Sequence, residues 1–242
     1  MKIEIRALTK RFGKTCALDR VSFSLEPGQI VAVLGANGAG KTTLLNCLAG
    51  LLAPTEGAVY FDDMPFNRGR LDLRRKLHFL PDFPLLCDHW TIIQHLATVL
   101  RIYEADTPGV ENVVLELFRK LDLLPLAEKP LGYLSRGQRY KTALAALLAV
   151  NPELWLLDEP FASGMDPHGL QIFKEEARQA ARHGRVIIFT TQILDVVERF
   201  ADRVCVLHEG EVRALEKVSQ LQATGPGTEA LAALFQQLRE QP

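Results

Sequence analysis

A glycine-rich octapeptide is the strongest chemical feature of the sequence. Residues 35–42 read Gly-Ala-Asn-Gly-Ala-Gly-Lys-Thr and match the pattern G-x-x-x-x-G-K-S/T. Glycines let backbone N–H groups curl around phosphate oxygens, while Lys41 can add positive charge and the Thr42 hydroxyl can coordinate Mg²⁺. The segment predicts a nucleotide phosphate site. The candidate binding residues are Gly35, Asn37, Gly38, Ala39, Gly40, Lys41, Thr42 and Thr43.

A pair of acids follows an apolar run later in the chain. Residues 154–157 read Leu-Trp-Leu-Leu and lead directly into Asp158-Glu159-Pro160. Acids at the carboxyl end of a buried parallel strand lie where ligands of such sheets bind. Asp158 is suited to hold Mg²⁺, and Glu159 to orient or deprotonate the water that attacks a γ-phosphate. Alone, the pair would favour a solvated acidic turn, but beside a phosphate loop the catalytic interpretation is favoured.

The elements that must position these residues follow from hydrophobic periodicity. Residues 30–34 are apolar throughout, which predicts a strand buried on both faces, and a helix is predicted over 41–52. Residues 84–150 have mainly helical periodicity between two strand-rich parts, which indicates an α/β fold interrupted by a helical insertion. The other predicted strands cover residues 2–8, 21–25, 58–61, 154–157, 186–189 and 204–207. The predicted units are a core of 1–83 and 151–215, a helical subdomain of 84–150, and a C-terminal linker and helix of 216–242.

Composition excludes several classes of protein. The net charge of -1 offers no basic footprint for nucleic acid, so no nucleic-acid partner is expected. The four cysteines are scattered, which favours reduced thiols in a cytosolic protein over a zinc or disulfide framework. The longest apolar run, residues 143–150, is far shorter than the roughly 20 residues of a membrane span, and the first residues lack the apolar core of a signal peptide.

A short segment upstream of the acids narrows the family. Residues 134–138 read Leu-Ser-Arg-Gly-Gln and resemble the LSxGQ signature of ABC-type ATPases. Ser135 and Gln138 also satisfy the S-x-x-Q pattern of a helix capping box. The two interpretations are compatible, because a serine-capped helix N-terminus suits a phosphate clamp. Ser135, Gly137 and Gln138 are therefore candidate nucleotide-binding residues.

Further resemblances to this family occur in the expected order. Phe12 resembles the aromatic residue that stacks on adenine, and Asp166 occupies the acidic position of a segment similar to the D-loop. Gln192 stands at the position of the family's catalytic switch residue. The resemblance extends from Phe12 to about residue 210.

The resemblance implies the nucleotide-binding subunit of an ABC transporter. It implies a P-loop NTPase mixed sheet with an N-terminal antiparallel β subdomain and an inserted α-helical subdomain. It also implies ATP and Mg²⁺ as cofactors, and a second copy or a paralogue that closes over the nucleotide, with Ser135 and Gly137 completing the facing site. An integral membrane permease would dock on the helical segment after Asp82, which places the chain at the cytoplasmic face of the cell membrane.

Three positions depart from the family pattern. Gln192 replaces a histidine, Asp82 replaces the glutamine of the Q-loop, and Arg136 replaces a glycine that is common at a position that varies among family members. An amide cannot carry the positive charge of a histidine, so slow turnover is expected from Gln192. Asp82 is shorter than glutamine and is expected to reach Mg²⁺ only through water. Two alternatives stay open: a soluble ABC-type ATPase in assembly or regulation, and a weakly hydrolysing nucleotide switch.

Overall fold

The computed structural model describes residues 1–222 of the chain. The predicted Gly225-Pro226-Gly227 linker and the amphipathic helix around Leu231 lie outside this part. The strands are β1 (Ile3–Phe12), β2 (Thr15–Leu25), β3 (Ile30–Leu34), β4 (Glu56–Phe61), β5 (Met64–Phe66), β6 (Leu77–Leu80), β7 (Leu154–Leu157), β8 (Val186–Thr191), β9 (Arg203–His208) and β10 (Glu211–Lys217). The α-helices are α1 (Lys41–Leu48), α2 (Leu71–Arg74), α3 (Ile92–Ile102), α4 (Val110–Lys120), α5 (Arg136–Val150), α6 (Pro167–Arg182), α7 (Leu194–Phe200) and α8 (Val218–Gln222).

Two sheets organise the fold. One has the order β10-β9-β3-β8-β7-β6, with β9, β3, β8, β7 and β6 parallel and β10 antiparallel at one edge. The other is antiparallel, with the order β2-β1-β4-β5. The predicted mixed sheet and the predicted N-terminal antiparallel sheet are both confirmed. The parallel arrangement brings the carboxyl ends of β3, β6, β7 and β8 to the same edge.

Strand β3 separates two hydrophobic clusters. Val31 and Val33 belong to a cluster that includes α1 and residues from both sheets, whereas Ile30, Ala32 and Leu34 belong to a cluster that includes α3 to α7. All five residues are buried, as the apolar run predicts. The central strand, and the loop that follows it, are thus held from both sides.

The helical periodicity of residues 84–150 corresponds to α3, α4 and α5. Side chains of α5 such as Leu144 and Leu147 belong to the same hydrophobic cluster as Leu157 of β7 and Phe189 of β8. The helical segment therefore packs directly onto one face of the large sheet. Within residues 1–222, no helix combines the length and the apolar character that a membrane crossing requires.

Several element boundaries differ from the predictions. Strands β1 and β2 are longer than predicted, because pairing in a hairpin extends them to Phe12 and Thr15. Strands β5, β6 and β10 were not predicted; β6 is four residues long and is defined by its pairing with β7. Helix α1 ends at Leu48, not at residue 52, because the N–H groups of Leu51 and Leu52 both donate back to the carbonyl of Asn46.

Candidate nucleotide site

The phosphate loop connects the buried end of β3 to α1. Lys41 is the first residue of α1, and its side chain is buried. Its Nζ donates to the carbonyl oxygens of Gly35 at 2.8 Å and Ala36 at 3.3 Å, and it lies 3.4 Å from Glu159 Oε1. The ammonium group is thus held inside the curve of the loop, where its charge and that of the helix N-terminus both favour an anion.

Packing against the antiparallel sheet explains the glycine before Lys41. Gly40 has φ of 104°, a conformation that side chains disfavour. A Cβ at this position would lie 2.5 Å from the carbonyl oxygen of Ala17 on β2. The loop therefore fits closely against β2 only because residue 40 is glycine.

The carboxylate of Asp158 is fixed by two hydroxyl groups. Thr42 Oγ1 donates to Asp158 Oδ2 at 2.8 Å, and Thr190 Oγ1 donates to Asp158 Oδ1 at 2.6 Å. Asp158 is 5% exposed and Thr190 is fully buried. The end of β7, the end of β8 and the start of α1 therefore meet at one carboxylate, as the parallel sheet predicts.

Glu159 sits beside Lys41 on a constrained backbone. Its φ and ψ are 47° and 49°, in the left-handed region that non-glycine residues rarely occupy. The N–H of Glu159 donates to Thr190 Oγ1 at 2.8 Å. Thr190 thus fixes the carboxylate of Asp158 and the backbone of Glu159. Sequence reasoning missed Thr190; the signal available was a polar residue near the carboxyl end of an otherwise apolar strand.

These residues line an open cleft of about 340 Å³. The rim carries Gln192, whose Nε2 donates to Asn37 Oδ1 at 2.9 Å. The rim residue Asp82 accepts from Arg136 at 2.5 Å. The residues lining the cleft are Ala17, Ala36, Asn37, Gly38, Gly40, Lys41, Thr42, Thr43, Asp82, Asp158 and Glu159. The predicted phosphate loop and the predicted acids thus share one cavity.

Comparison with known proteins agrees with this geometry. The profile of the family described as ABC transporter matches residues 18–162, more than half of the chain. The chain belongs to the ABC transporter family. The ABC-type transporter ATP-binding protein EcsA of Bacillus subtilis (strain 168) is 29% identical over 219 residues, which cover 90% of this chain and 88% of EcsA.

Solved structures show the same fold. The ATP-binding subunit of an ABC transporter superposes with a TM-score of 0.91 at 26% identity, covering 99% of this chain and 100% of that one. A dimeric ATP-binding cassette in a post-hydrolysis state, bound to ADP and Pi, superposes with a TM-score of 0.79 at 27% identity, covering 89% and 98%. The chain is therefore a nucleotide-binding ATPase subunit, a motor for transport with the P-loop NTPase fold.

The ABC signature segment lies at the start of α5. Ser135 Oγ accepts from the N–H of Gln138 at 3.3 Å, and Gln138 Oε1 accepts from the N–H of Ser135 at 3.0 Å, so the predicted capping box is present. Gly137 has a packing requirement of its own, because a Cβ would lie 2.2 Å from the carbonyl oxygen of Gly164. Among the described residues, Ser135, Gly137 and Gln138 do not line the cleft of their own subunit.

The segment that resembles the ABC D-loop is bonded to helix α5. Asp166 Oδ1 accepts from the N–H of Gly169 at the start of α6, and Asp166 Oδ2 accepts from Lys141 Nζ on α5 at 2.7 Å. The hydrogen bond from Lys141 lowers the pKa of Asp166, and the Gly169 N–H adds to this. Lys141 is 5% exposed. Sequence reasoning missed this buried lysine, which joins α5 to the residue before α6.

Phe12 lies at the tip of the β1–β2 hairpin. It is 48% exposed, and Lys10 Nζ lies 5.1 Å from the centre of its ring. Phe12 is not among the described residues that line the cleft. The ring is about half exposed, and the structure does not bring it together with the phosphate loop.

The donor set at the cleft fits Mg²⁺. A buried carboxylate and a threonine hydroxyl, Asp158 and Thr42, lie in direct contact, and both are hard oxygen ligands. In the part of the chain that the structure describes, no three His, Cys, Asp or Glu side chains are grouped to hold a metal ion. Few protein ligands are typical of Mg²⁺ bound between a protein and nucleotide phosphates, because the ion keeps several waters.

Proposed function

We propose that the cleft binds Mg-ATP through the phosphate loop and hydrolyses it with Glu159. The observation that carries this proposal is the convergence of Lys41, Thr42 and Glu159 around the doubly hydrogen-bonded Asp158. Backbone N–H groups of residues 35–42 receive the phosphates, and Lys41 turns its charge from the loop carbonyls to the β and γ phosphates.

Thr42 and Asp158 are the residues that would hold the metal. When bound, Mg²⁺ neutralises the charge of the β and γ phosphates. Thr190 keeps the Asp158 carboxylate in one orientation, so the ligand set is formed before the nucleotide arrives. Asp82 lies in the same cleft, but one of its carboxylate oxygens already accepts a hydrogen bond from Arg136.

Glu159 serves as the base, and Gln192 as the switch. Glu159 is placed at the mouth of the cleft by the left-handed backbone and by the hydrogen bond of its N–H to Thr190. Its carboxylate orients the attacking water and accepts its proton. Gln192 reaches the phosphate loop through Asn37 and supplies a neutral hydrogen-bond donor, which we propose makes turnover slow.

We propose that the signature residues complete the site of a facing subunit. Ser135 and Gly137 do not line the cleft of their own chain, and Ser135 is exposed at a helix N-terminus. A helix N-terminus favours the γ-phosphate of a nucleotide bound elsewhere. A dimeric cassette of similar fold supports this arrangement. The facing subunit is a second copy or a paralogue, and Phe12, Gln138 and Asp166 are proposed to contribute to the closed site.

We propose that an apolar groove beside the cleft receives a short helical segment of a membrane permease. The groove has a volume of about 630 Å³ and lies between the end of β6 and helix α3. Its lining includes Leu51, Phe79, Phe83, Leu85, Ile102 and Tyr103. Leu85 is 91% exposed and Ile102 is 62% exposed, so a partner has apolar area to cover.

The groove also supports the proposed division of the chain. Residues of the core segment 1–83 and of the helical segment 84–150 both contribute to its walls. We propose that these units move relative to each other when nucleotide binds. The predicted boundary after residue 215 is not the end of the core, because β10 continues to Lys217 and Val218 is buried in the large hydrophobic cluster. Docking on a permease would hold the subunit at the cytoplasmic face of the membrane.

Replacement of Glu159 by glutamine tests the proposed chemistry. We expect Glu159→Gln to bind Mg-ATP like the parent, to lose about 100-fold or more in hydrolysis rate, and to accumulate as an ATP-bound dimer in light scattering. Glu175→Gln is the matched control, because Glu175 is an exposed acid on α6 that bonds Gln171. Hydrolysis at the parent rate in Glu159→Gln would show that Glu159 is not the base.

A further inference from the structure

Two of the three departures from the family pattern are in contact with each other. Arg136 Nη2 donates to Asp82 Oδ1 at 2.5 Å, although the residues are 54 positions apart. Both side chains are about half exposed. Asp82 follows β6 and lines the cleft, whereas Arg136 is the first residue of α5 and lies between Ser135 and Gly137. The ion pair therefore links the phosphate cleft to the signature helix of the same subunit.

An acid at position 82 is unfavourable for nucleotide binding in the cleft. Asp82 lines the same cavity as Lys41 and Thr42, into which a triphosphate brings several negative charges. An unpaired carboxylate there would repel the nucleotide, because like charges at short range raise the binding free energy. A glutamine, which the family pattern has at this position, carries no such charge.

Nearby groups other than Arg136 are engaged elsewhere. Lys41 is bound by the loop carbonyls, Lys141 by Asp166, and Arg139 by Asp88. The Tyr140 hydroxyl, one turn along α5, is buried and has no hydrogen-bond partner among the described residues. Burial, and then the charges of Asp82 and Asp158, raise the pKa of Tyr140 well above its usual value. Tyr140 therefore stays neutral and adds no further negative charge beside Asp82, and a phenol group cannot supply the positive charge that Asp82 needs.

We propose that Arg136 is a positioning residue for ATP binding that acts through Asp82. Its guanidinium neutralises the acid at the rim of the cleft and directs the carboxylate toward α5 and away from the incoming phosphates. The replacement of glutamine by aspartate and of glycine by arginine then forms one functional unit. This inference rests on the proposed nucleotide site, but it does not require dimerisation or a permease.

A double-mutant cycle that measures Mg-ATP affinity tests whether Arg136 acts through Asp82. We expect Arg136→Gln to bind a fluorescent ATP analogue with Mg²⁺ about tenfold more weakly, because Asp82 is left unpaired beside the phosphates. Asp82→Asn should bind at least as tightly as the parent. The double variant Asp82→Asn with Arg136→Gln should return to within about threefold of the parent, since the two sites are coupled.

Ionic strength separates this electrostatic role from a structural one. The weaker binding of Arg136→Gln should diminish between about 0.05 M and 0.5 M salt, because repulsion from an exposed carboxylate is screened. Loss of helix position would not respond to salt in this way. Arg75→Gln is the matched control, because Arg75 is also about half exposed and pairs with an acid, Glu104, at 2.8 Å; its affinity should equal that of the parent.

Each contrary outcome has a distinct meaning. If the double variant binds as weakly as Arg136→Gln, Arg136 does not act through Asp82 and the inference fails. If Asp82→Asn abolishes Mg²⁺-dependent binding, Asp82 is a metal ligand and the inference also fails. Lys41→Gln is measured in parallel; retention of binding in that variant would instead show that the nucleotide site itself is misplaced.

Discussion

The two functional regions of this subunit differ in how they are held. The phosphate region consists of Lys41, Asp158 and Thr190, which are all buried at the ends of parallel strands or the start of α1. Thr190 donates to Asp158 at 2.6 Å, and Lys41 donates to the carbonyl of Gly35 at 2.8 Å. The signature region consists of Ser135 and Arg136, which are exposed at a helix N-terminus. The first region is organised within one chain, whereas the second presents its groups outward.

The difference follows from the elements that carry each region. Strand ends of a parallel sheet converge, so a carboxylate there is surrounded by neighbouring backbone and side chains. A helix N-terminus projects unpaired N–H groups, and Ser135 satisfies only part of them. Loss of a single buried atom in the phosphate region should therefore lower ATP hydrolysis. The signature region should be sensitive instead to changes of charge and of binding partner.

The largest expected effect comes from substitution of Thr190, because this change would disrupt the hydrogen bonds of the phosphate region. Thr190→Val keeps the shape of the side chain but removes the hydroxyl that contacts Asp158 and the N–H of Glu159. We expect a loss of about 100-fold in kcat and about 2 kcal/mol in the free energy of unfolding, because buried polar groups lose their partner. Steady-state kinetics and denaturant unfolding measure the two effects.

Thr190→Ser is the control for this change. It retains the hydroxyl, and we expect kcat within a few-fold of the parent. If Thr190→Val hydrolyses ATP as fast as Thr190→Ser, the buried hydroxyl does not organise the acids, and the contrast between the two regions loses its main support.

An intermediate effect is expected at His78, on the strand that leads to Asp82. Burial, and then the nearby charge of His95, lower the pKa of His78 from 6.5 to about 4. Between these values the unfolded chain binds a proton that the folded chain does not, so the stability present above pH 6.5 is lost as the pH falls toward 4. The ring stacks on Tyr103 with centroids 5.2 Å apart, and its Nδ1 is enclosed.

His78→Phe retains an aromatic ring for Tyr103 and removes the titration. We expect the loss of unfolding free energy between about pH 7 and about pH 5 to be smaller by up to about 2 kcal/mol in this variant. Urea unfolding at the two pH values measures it. An identical pH dependence in parent and variant would show that His78 is not kept neutral.

The smallest effect is expected from substitution of Gln192. This residue lies at the exposed rim of the phosphate region, so it tests how far the sensitivity of the buried residues extends. Gln192 is exposed and bonds Asn37, so a change there leaves the buried contacts intact. We expect Gln192→His to raise the turnover number several-fold, because an imidazole can assist proton transfer where an amide cannot. Gln192→Ala should be slower than the parent. An unchanged or lower rate in Gln192→His would show that the glutamine is no handicap.

Local sequence patterns predicted the parts of the fold whose signal is local. The apolar run of β3, the glycine loop and the acids after β7 were identified because each is encoded in a few adjacent residues. The ends of β1 and β2 and the whole of β6 were not, because their extent depends on pairing with distant strands. Helix α1 was predicted too long, since Asn46 accepts the hydrogen bonds that turn the chain back.

The sequence by itself determined the phosphate chemistry of this protein. A glycine-rich loop, a lysine and two strand-end acids have few other uses at this spacing. Only the tertiary structure decided which groups hold those residues, because Thr190, Lys141 and Arg136 act on partners that are far away along the chain. Contacts between residues 25 to 54 positions apart leave no periodic trace in the sequence, and packing alone brings them together.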